Sequence, residues 1–588
     1  MRRKFPYACT NALNCSLASS VTQLSETCAG EAGSGMKREI TKGLLIALAA
    51  LVTIALACLA GCSGPQGSSS AGNAQQQADA SDALDYLRIA SEEPDTGDPQ
   101  CTADYYDIAL NVFDRLVETE AVDDGTNSFV PSLADSWQIS DDGLVYTFKL
   151  REGVSFSNGS PLTSSDVEYT IERALANPDS QIAEVFEFVE GSQDFAEGKA
   201  QHIEGFRAVD DHEFSITLTS PYAAFLSMLS IPAVSILDEE TTSKAGSEFG
   251  RDPDITVGTG PFVFSEWSEG KRIVLSANKN CWSGAPGCPG VVVNFVTDAE
   301  AKRLMFVNGE LDILDLENLG PDAEYFMRGD VYQEQLCHGK RVGLSLIALN
   351  ESVKPLDDVR VRHALQLALD RRALLMDVFS GRGALENGIY PHGLIGHNPD
   401  LPEIPYDPQA AADLLNQAGY PDGFDLEICF DKESLNYRET AVLAASMWEK
   451  IGVRTTVTAL DKSEFTDRRN DGRIACYPSK FSVDYNDPDS IIYIFYGSLE
   501  NSRSRSLCYG DEAVISRVND ACFIVDDAAR LAEYRELERK IVHEDCAWVP
   551  LFSNEHYFVV SNRAKGFKVS WNGWTNTQYR DIVIEDAS

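Results

Sequence analysis

Catalysis by a side chain needs a nucleophile with a base beside it, or a metal held by closely spaced ligands. This sequence offers neither in a recognisable spacing. It has no G-x-S-x-G and no H-E-x-x-H, its 14 cysteines include no C-x-x-C pair, and its eight histidines are dispersed. His392 and His397 share a loop without the spacing or partners of a zinc site, so no metal and no cofactor are expected. Gly258-Thr259-Gly260 suggests a phosphate loop, but Pro261 and the strand after it exclude a dinucleotide-binding start. The densest polar group is DYNDPDS at Asp484–Ser490, where Asp484, Asn486, Asp487 and Asp489 crowd around Pro488. Taken alone, such a group organises a turn.

One thiol stands in a telling place. Lys37, Arg38 and Lys42 precede an almost wholly apolar run, Gly43 to Ala60, which ends in Leu59-Ala60-Gly61-Cys62. A cationic start, an apolar stretch and small residues before a cleavage point make an export signal. The four-residue end resembles the lipobox of bacterial lipoproteins, which implies that Cys62 carries a diacylglycerol and begins the mature chain. Ser63–Ser81 (SGPQGSSSAGNAQQQADAS) then reads as a flexible tether. A retained transmembrane helix and a plain secretory signal are the competing readings. Residues 1–35 hold no periodic apolar pattern and are read as a start assigned too early, followed by the signal at 36–61 and the tether at 62–82.

Some 500 residues follow, enough for two or more lobes with their own cores. No second apolar run long enough to span a bilayer appears, so that part is expected outside the cell. The formal net charge of −42 repels nucleic acid and anionic headgroups, leaving neither as a partner. The acids are scattered, which marks solubility before ligand preference. Nine cysteines follow Cys62, and Cys281 with Cys288, bracketing the turn-rich CWSGAPGC, is the expected disulfide. An odd count leaves at least one thiol over.

The elements that would position a site alternate between helix and strand, which argues α/β lobes. Leu84–Ala90, Val145–Leu150, Glu213–Leu218, Phe262–Phe264, Ile273–Ala277 and Val453–Ala459 read as strands. Helices are expected near Asp104–Glu118, at Pro161–Leu175 with Thr163 and Asp166 at capping-box spacing, and over Val359–Phe379. Another has Asp407 as its cap, Pro408 at its first position and Gly419 as its stop, and two more cover Glu439–Ile451 and Asp526–His543. Trp137, Trp267 and Trp282 are read as core or interlobe packing.

Several blocks in register resemble the extracellular solute-binding proteins that serve peptide and nickel ABC transporters (family 5). They are LADSWQISDDGLVYTFKLREGVSFSNGSPLTSSDVEYTIERAL within Pro131–Leu175, VGTGPFVFSEW at Val257–Trp267 and NGELDI at Asn308–Ile313. DDVRVRHALQLALDR at Asp357–Arg371, YDPQAAADLLNQAGYPDGF at Tyr406–Phe424 and DYNDPDS complete the set. The resemblance implies a two-lobe periplasmic-binding-protein-like (type II) fold with an extra subdomain in the N-terminal lobe. Lobe I would span 83–335, including a subdomain near 126–220, lobe II 336–559, and 560–588 would return to lobe I.

The resemblance further implies that Asp484 faces the cleft and pairs with a peptide's α-ammonium group, a charge-assisted hydrogen bond that compensates a partly desolvated cation. Where the family often has Gly-Trp before this Asp, the sequence has Lys480 and Phe481, and Pro478 stands where oligopeptide binders carry an Arg. No residue is thereby identified for a peptide's carboxylate. Lys480, Arg473 and Arg382 are candidates by charge alone, each more ordinary as a solvated surface residue. The implied function is a monomeric, non-enzymatic receptor that delivers peptides to an ABC permease and its ATPase from a lipid anchor on the outer face of the cell membrane. A nickel complex, haem or sugar as solute, a peptide sensor without transport, and an exported hydrolase are the alternatives.

Overall fold

The computed structural model describes residues 85–102, 105–121, 127–317, 319–328, 330–572 and 578–585. Cys62, the export signal, the tether and residues 1–35 lie outside the described residues.

The chain enters through Leu87–Ser91, which pairs in parallel with Gly290–Phe295; Arg272–Ala277 and Phe262–Ser268 complete a four-stranded sheet. Leu87, Val291, Leu275 and Phe264 alternate onto one face and form a core with Phe113 and Phe249. A separate antiparallel sheet, ordered Ala134–Ile139, Val145–Leu150, Glu213–Thr217 and Phe206–Asp210, buries Tyr146, Phe148, Phe214 and Ile216 under the helix Ser164–Ala176. That helix begins as its sequence requires. The Asp166 carboxylate accepts the Thr163 backbone N–H at 2.8 Å, and the Thr163 side chain accepts the backbone N–H three positions on.

The third sheet spans the middle of the chain. Leu336–Leu349 lies between Val549–Val560 and Cys476–Ser482, with Ile313–Asp315 beyond Val549–Val560. Its central strand is covered on both faces: Val342, Leu344, Leu346 and Ala348 enter one core, Ile347 and Leu349 the other. A strand buried on both sides reads as a near-continuous apolar run, as GLSLIAL does here with Ser345 its one polar residue. The two long strands lose register between Lys340 and Leu344. A parallel pair, Asp425–Asp431 with Arg454–Leu460, is joined by the helix Leu435–Glu449, whose Trp448 is fully buried and donates to the Leu365 carbonyl at 2.9 Å.

Three expectations change. The stretch Val359–Phe379 is two helices, Val359–Leu367 and Arg371–Phe379, because the Asp370 carboxylate accepts the Ala373 N–H at 2.9 Å and caps a new start. The first helix is shorter than expected, Asp107–Val112. Cys281 and Cys288 are both free, as are the other seven described cysteines. Cys288 is buried beside Val291 in the first core, whereas the Cys281 sulfur lies 3.1 Å from the Ser283 hydroxyl, so the loop directs the two thiols apart. Trp137 and Trp267 are half-buried against two different cores, and Trp282 donates to Asp114 at 2.8 Å. Among the described residues, no helix is long and apolar enough to cross a membrane.

Candidate functional site

Cys476–Ser482 is the outermost strand of its sheet, hydrogen-bonded to Gly343–Leu349 on one side. The Lys480 N–H points away from that ladder, onto the Tyr437 hydroxyl. Orientation repeats every second residue, so the Ser482 N–H and C=O also face outward. Outward main-chain groups on an edge strand are a template for another extended chain. Phe481 is half-buried, with its ring edge-on to Phe495 at 5.3 Å.

Asp484 follows this edge directly. Of the four acids and amides in its loop it alone is not buried, since Asn486, Asp487 and Asp489 are each no more than 2 % exposed. Each buried member has a donor from a different element. The Asn486 carbonyl oxygen accepts the Ile395 N–H at 2.9 Å. Both Asp487 oxygens accept from Arg530 Nη1, at 3.0 and 2.9 Å, and Asp487 also caps the Asp489 N–H at 3.0 Å. Burial raises the Asp487 carboxyl above its usual range, with Arg530 opposing that shift. Asp489 accepts from the Tyr222 hydroxyl at 2.6 Å and the Tyr534 hydroxyl at 3.2 Å. It opens the wholly buried helix Asp489–Tyr496. Tyr485, next to Asp484, packs in the same core as Phe148 and Phe214, so the loop joins the sheet that carries it to the antiparallel sheet near the N-terminus.

Lys480 is half-buried rather than freely solvated. Its ammonium pairs with Glu317, and burial pulls it down to about 8 despite Asp315 nearby. Arg341 holds the other Glu317 oxygen at 2.9 Å, and His556 Nε2 lies 2.9 Å from Asp315. Asp315, Glu317 and His556 are close enough to hold a cation, as are Glu168, Glu172 and His202 at the surface, but Glu317 already carries two basic partners. Arg473 stays exposed beside Asp471, and Arg382 lies over the Tyr557 ring and 3.5 Å from Glu324. Neither is brought to Asp484 by any described contact.

A cavity of about 480 Å³ opens beside the loop Gly383–Leu401, lined by Lys340, Glu386, Tyr390, His392 and His397 among others. The rings of His392 and His397 are 5.1 Å apart. The same loop donates the Ile395 N–H to Asn486.

Sequence reasoning missed Tyr222, Glu317, Arg341, Arg530 and Tyr534. Each lies 24 to 267 positions from its partner, and no local signal announces it.

The chain is 30% identical to "Heme-binding protein A" of Haemophilus influenzae over 478 residues, covering 79% of this chain and 85% of that protein. It is 26% identical to the "Dipeptide-binding protein" of Escherichia coli strain K12 over 496 residues, 81% and 90% of the two chains. In structure it is similar to the ABC transporter-associated periplasmic binding protein DppA of Helicobacter pylori, solved in complex with the peptide STSA. The TM-score is 0.67 with 25% identity, over 85% of this chain and 98% of that one. The α/β two-lobe architecture is that of these binding proteins. Residues 128–503 match the family described as "Bacterial extracellular solute-binding proteins, family 5 Middle", and the chain belongs to that family.

Proposed function

We propose that this protein is the solute receptor of an ABC importer, anchored in the membrane through a lipid on Cys62, that captures extracellular peptides between its lobes and performs no catalysis. The lobes are taken as 83–335 with the return 560–588, and 336–559. One observation carries the reading. Asp484 is the only unburied acid of its loop, and it stands at the end of an outer strand whose Ser482 N–H and C=O face outward.

An extended peptide added at Ser482 gains main-chain hydrogen bonds whatever its sequence. Its α-ammonium group then meets the Asp484 carboxylate. Lys480, committed to Glu317, supports the floor of this site and leaves the peptide's carboxylate to another group. Phe481 contributes the apolar wall its ring begins.

The test is calorimetry on Asp484→Asn with free and N-acetylated peptides. A charge-assisted hydrogen bond of roughly 1.5–3 kcal/mol predicts a loss of about ten- to a hundredfold for the free amino terminus, with little change for the acetylated one. Equal affinity of both proteins for the free peptide returns Asp484 to turn-making alone. A second reading, a haem or other metal chelate as solute, is favoured by His392 and His397 beside the 480 Å³ cavity. It also fits the name of the Haemophilus influenzae relative. Native mass spectrometry of the purified protein, with identification of the released solute, separates the two.

A further inference from the structure

The loop that carries Asp484 also carries the contact that joins the two lobes, through a different residue. Asp489 is fully buried, and one of its oxygens accepts from Tyr222, 267 positions away in the chain. Tyr222 lies just beyond the strand Glu213–Thr217 of the antiparallel sheet, in lobe I as proposed above. Its own backbone is fixed there, since the Tyr146 hydroxyl donates to the Tyr222 carbonyl at 3.2 Å.

Around this hydrogen bond the contact is aromatic. Phe188 lies between Tyr222, at 5.3 Å, and Phe523 from the other lobe, at 5.5 Å. Tyr485 and Cys522 enter the core of the antiparallel sheet, and Val525 closes on the turn at Gly143. None of these side chains needs a solute between the lobes to make its contact.

We propose that Tyr222, together with Phe188 and Phe523, is a built-in latch that holds the lobes together through Asp489 and so sets the affinity of the neighbouring site. This rests on the lobe assignment and deepens the reading of Asp484. A receptor whose binding-competent form is populated only in part has its affinity reduced by that fraction. A latch independent of solute raises the fraction, and it acts on the same loop that meets the solute. A buried hydrogen bond from Tyr to a carboxylate is of the strong, charge-assisted kind. Tyr534 still donates to the other Asp489 oxygen when Tyr222 is lost, so Tyr222→Phe leaves the carboxylate partnered within its own lobe. Tyr222 is a positioning residue: it touches the loop and not the solute.

The experiment compares wild type, Tyr222→Phe and Tyr222→Phe/Phe523→Ala, each shown free of solute by native mass spectrometry. Small-angle X-ray scattering reports the spread of the lobes, and thermal melting reports folding. Each change is expected to raise the open-to-closed ratio about tenfold, equivalent to ~1.4 kcal/mol, so the radius of gyration grows from wild type to the double variant. Melting of the lobes themselves stays close to wild type. Identical scattering from all three proteins overturns the latch, as does a lowered melting temperature with no opening. No peptide is present, so a failure of the Asp484 reading leaves this result standing, and a failure here leaves the peptide reading standing.

Discussion

Removing Arg530 while keeping Asp487 tests the frame behind the site. The pair is almost wholly buried, with side chains 5% and 2% exposed, and one guanidinium nitrogen serves both carboxylate oxygens at 3.0 and 2.9 Å. Arg530→Met fills similar space with apolar atoms and leaves an uncompensated carboxylate in the interior. Breaking a buried pair from one side costs about 3–5 kcal/mol. Replacing both partners, Asp487→Asn with Arg530→Met, removes the stranded charge and keeps an acceptor for the Asp489 N–H. That double variant should lose only about 1 kcal/mol, the net worth of an ordinary hydrogen bond. The double variant is then about 2–4 kcal/mol more stable than Arg530→Met alone. Urea unfolding followed by tryptophan fluorescence measures both variants against wild type, and Trp548 reports from the core around helix Asp489–Tyr496. A single variant that loses under about 1 kcal/mol, or a double variant as weak as the single, would show that Asp487 reaches water and does not brace the loop.

Glu538 makes a prediction in pH. It is fully buried, its Oε1 accepts the N–H groups of Ile389 and Tyr390 at 2.7 and 2.9 Å, and burial raises its carboxyl from 4.5 to about 8. The folded protein therefore holds this proton more tightly than the unfolded chain. The stability that comes from it is complete below pH 4.5 and lost as pH rises through about 8. Glu538→Gln keeps the accepting oxygen without the titration, so its melting temperature should fall less than wild type between pH 6 and 9; parallel curves would refute the assignment. Cys62→Ser should abolish labelling by radioactive palmitate in bacteria and release the protein from the membrane fraction, and label retained by that variant rules out Cys62 as the anchor.

What the sequence made legible was local. Thr163 with Asp166 forms the capping box their spacing announced, and Asp407, Pro408 and Gly419 bound Pro408–Ala418, with Gly419 at a φ of 94° that favours glycine. Val145–Leu150 alternates as a half-buried strand should, and its bounds needed no correction. The break after Leu367 escaped because its apolar stripe continues through Ala368 and Leu369 while Asp370 ends one helix and caps the next. Lys480 was misread for a related reason. A lysine after Pro478 and Ser479 looks solvated, and only the fold brings Glu317, 163 positions earlier, against its ammonium. The α/β class and the family followed from blocks in register, each reporting local turns and caps. Contacts between distant elements leave no such trace in one sequence.

Three buried polar side chains in one short loop call for a physical account, because apolar residues of similar size would often stabilise such positions as well or better. Their partners suggest it. Asn486 ties the loop to Gly383–Leu401 through Ile395, Asp487 ties it to helix Asp527–Arg539 through Arg530, and Asp489 ties it to the far lobe through Tyr222. Three directional bonds to three elements fix the loop in position and orientation, which non-directional apolar packing specifies less sharply. A turn needs no such triangulation. In the proposed function, Asp484 is the residue whose carboxylate gains from being placed to a fraction of an ångström, since a charge-assisted hydrogen bond is lost with small misplacement. With the lobes as proposed, one of the three anchors lies across their junction, and the placement is complete only when the lobes meet. On the proposed function, binding and closure are one equilibrium: a solute that engages Asp484 stabilises the same loop geometry that Tyr222 requires.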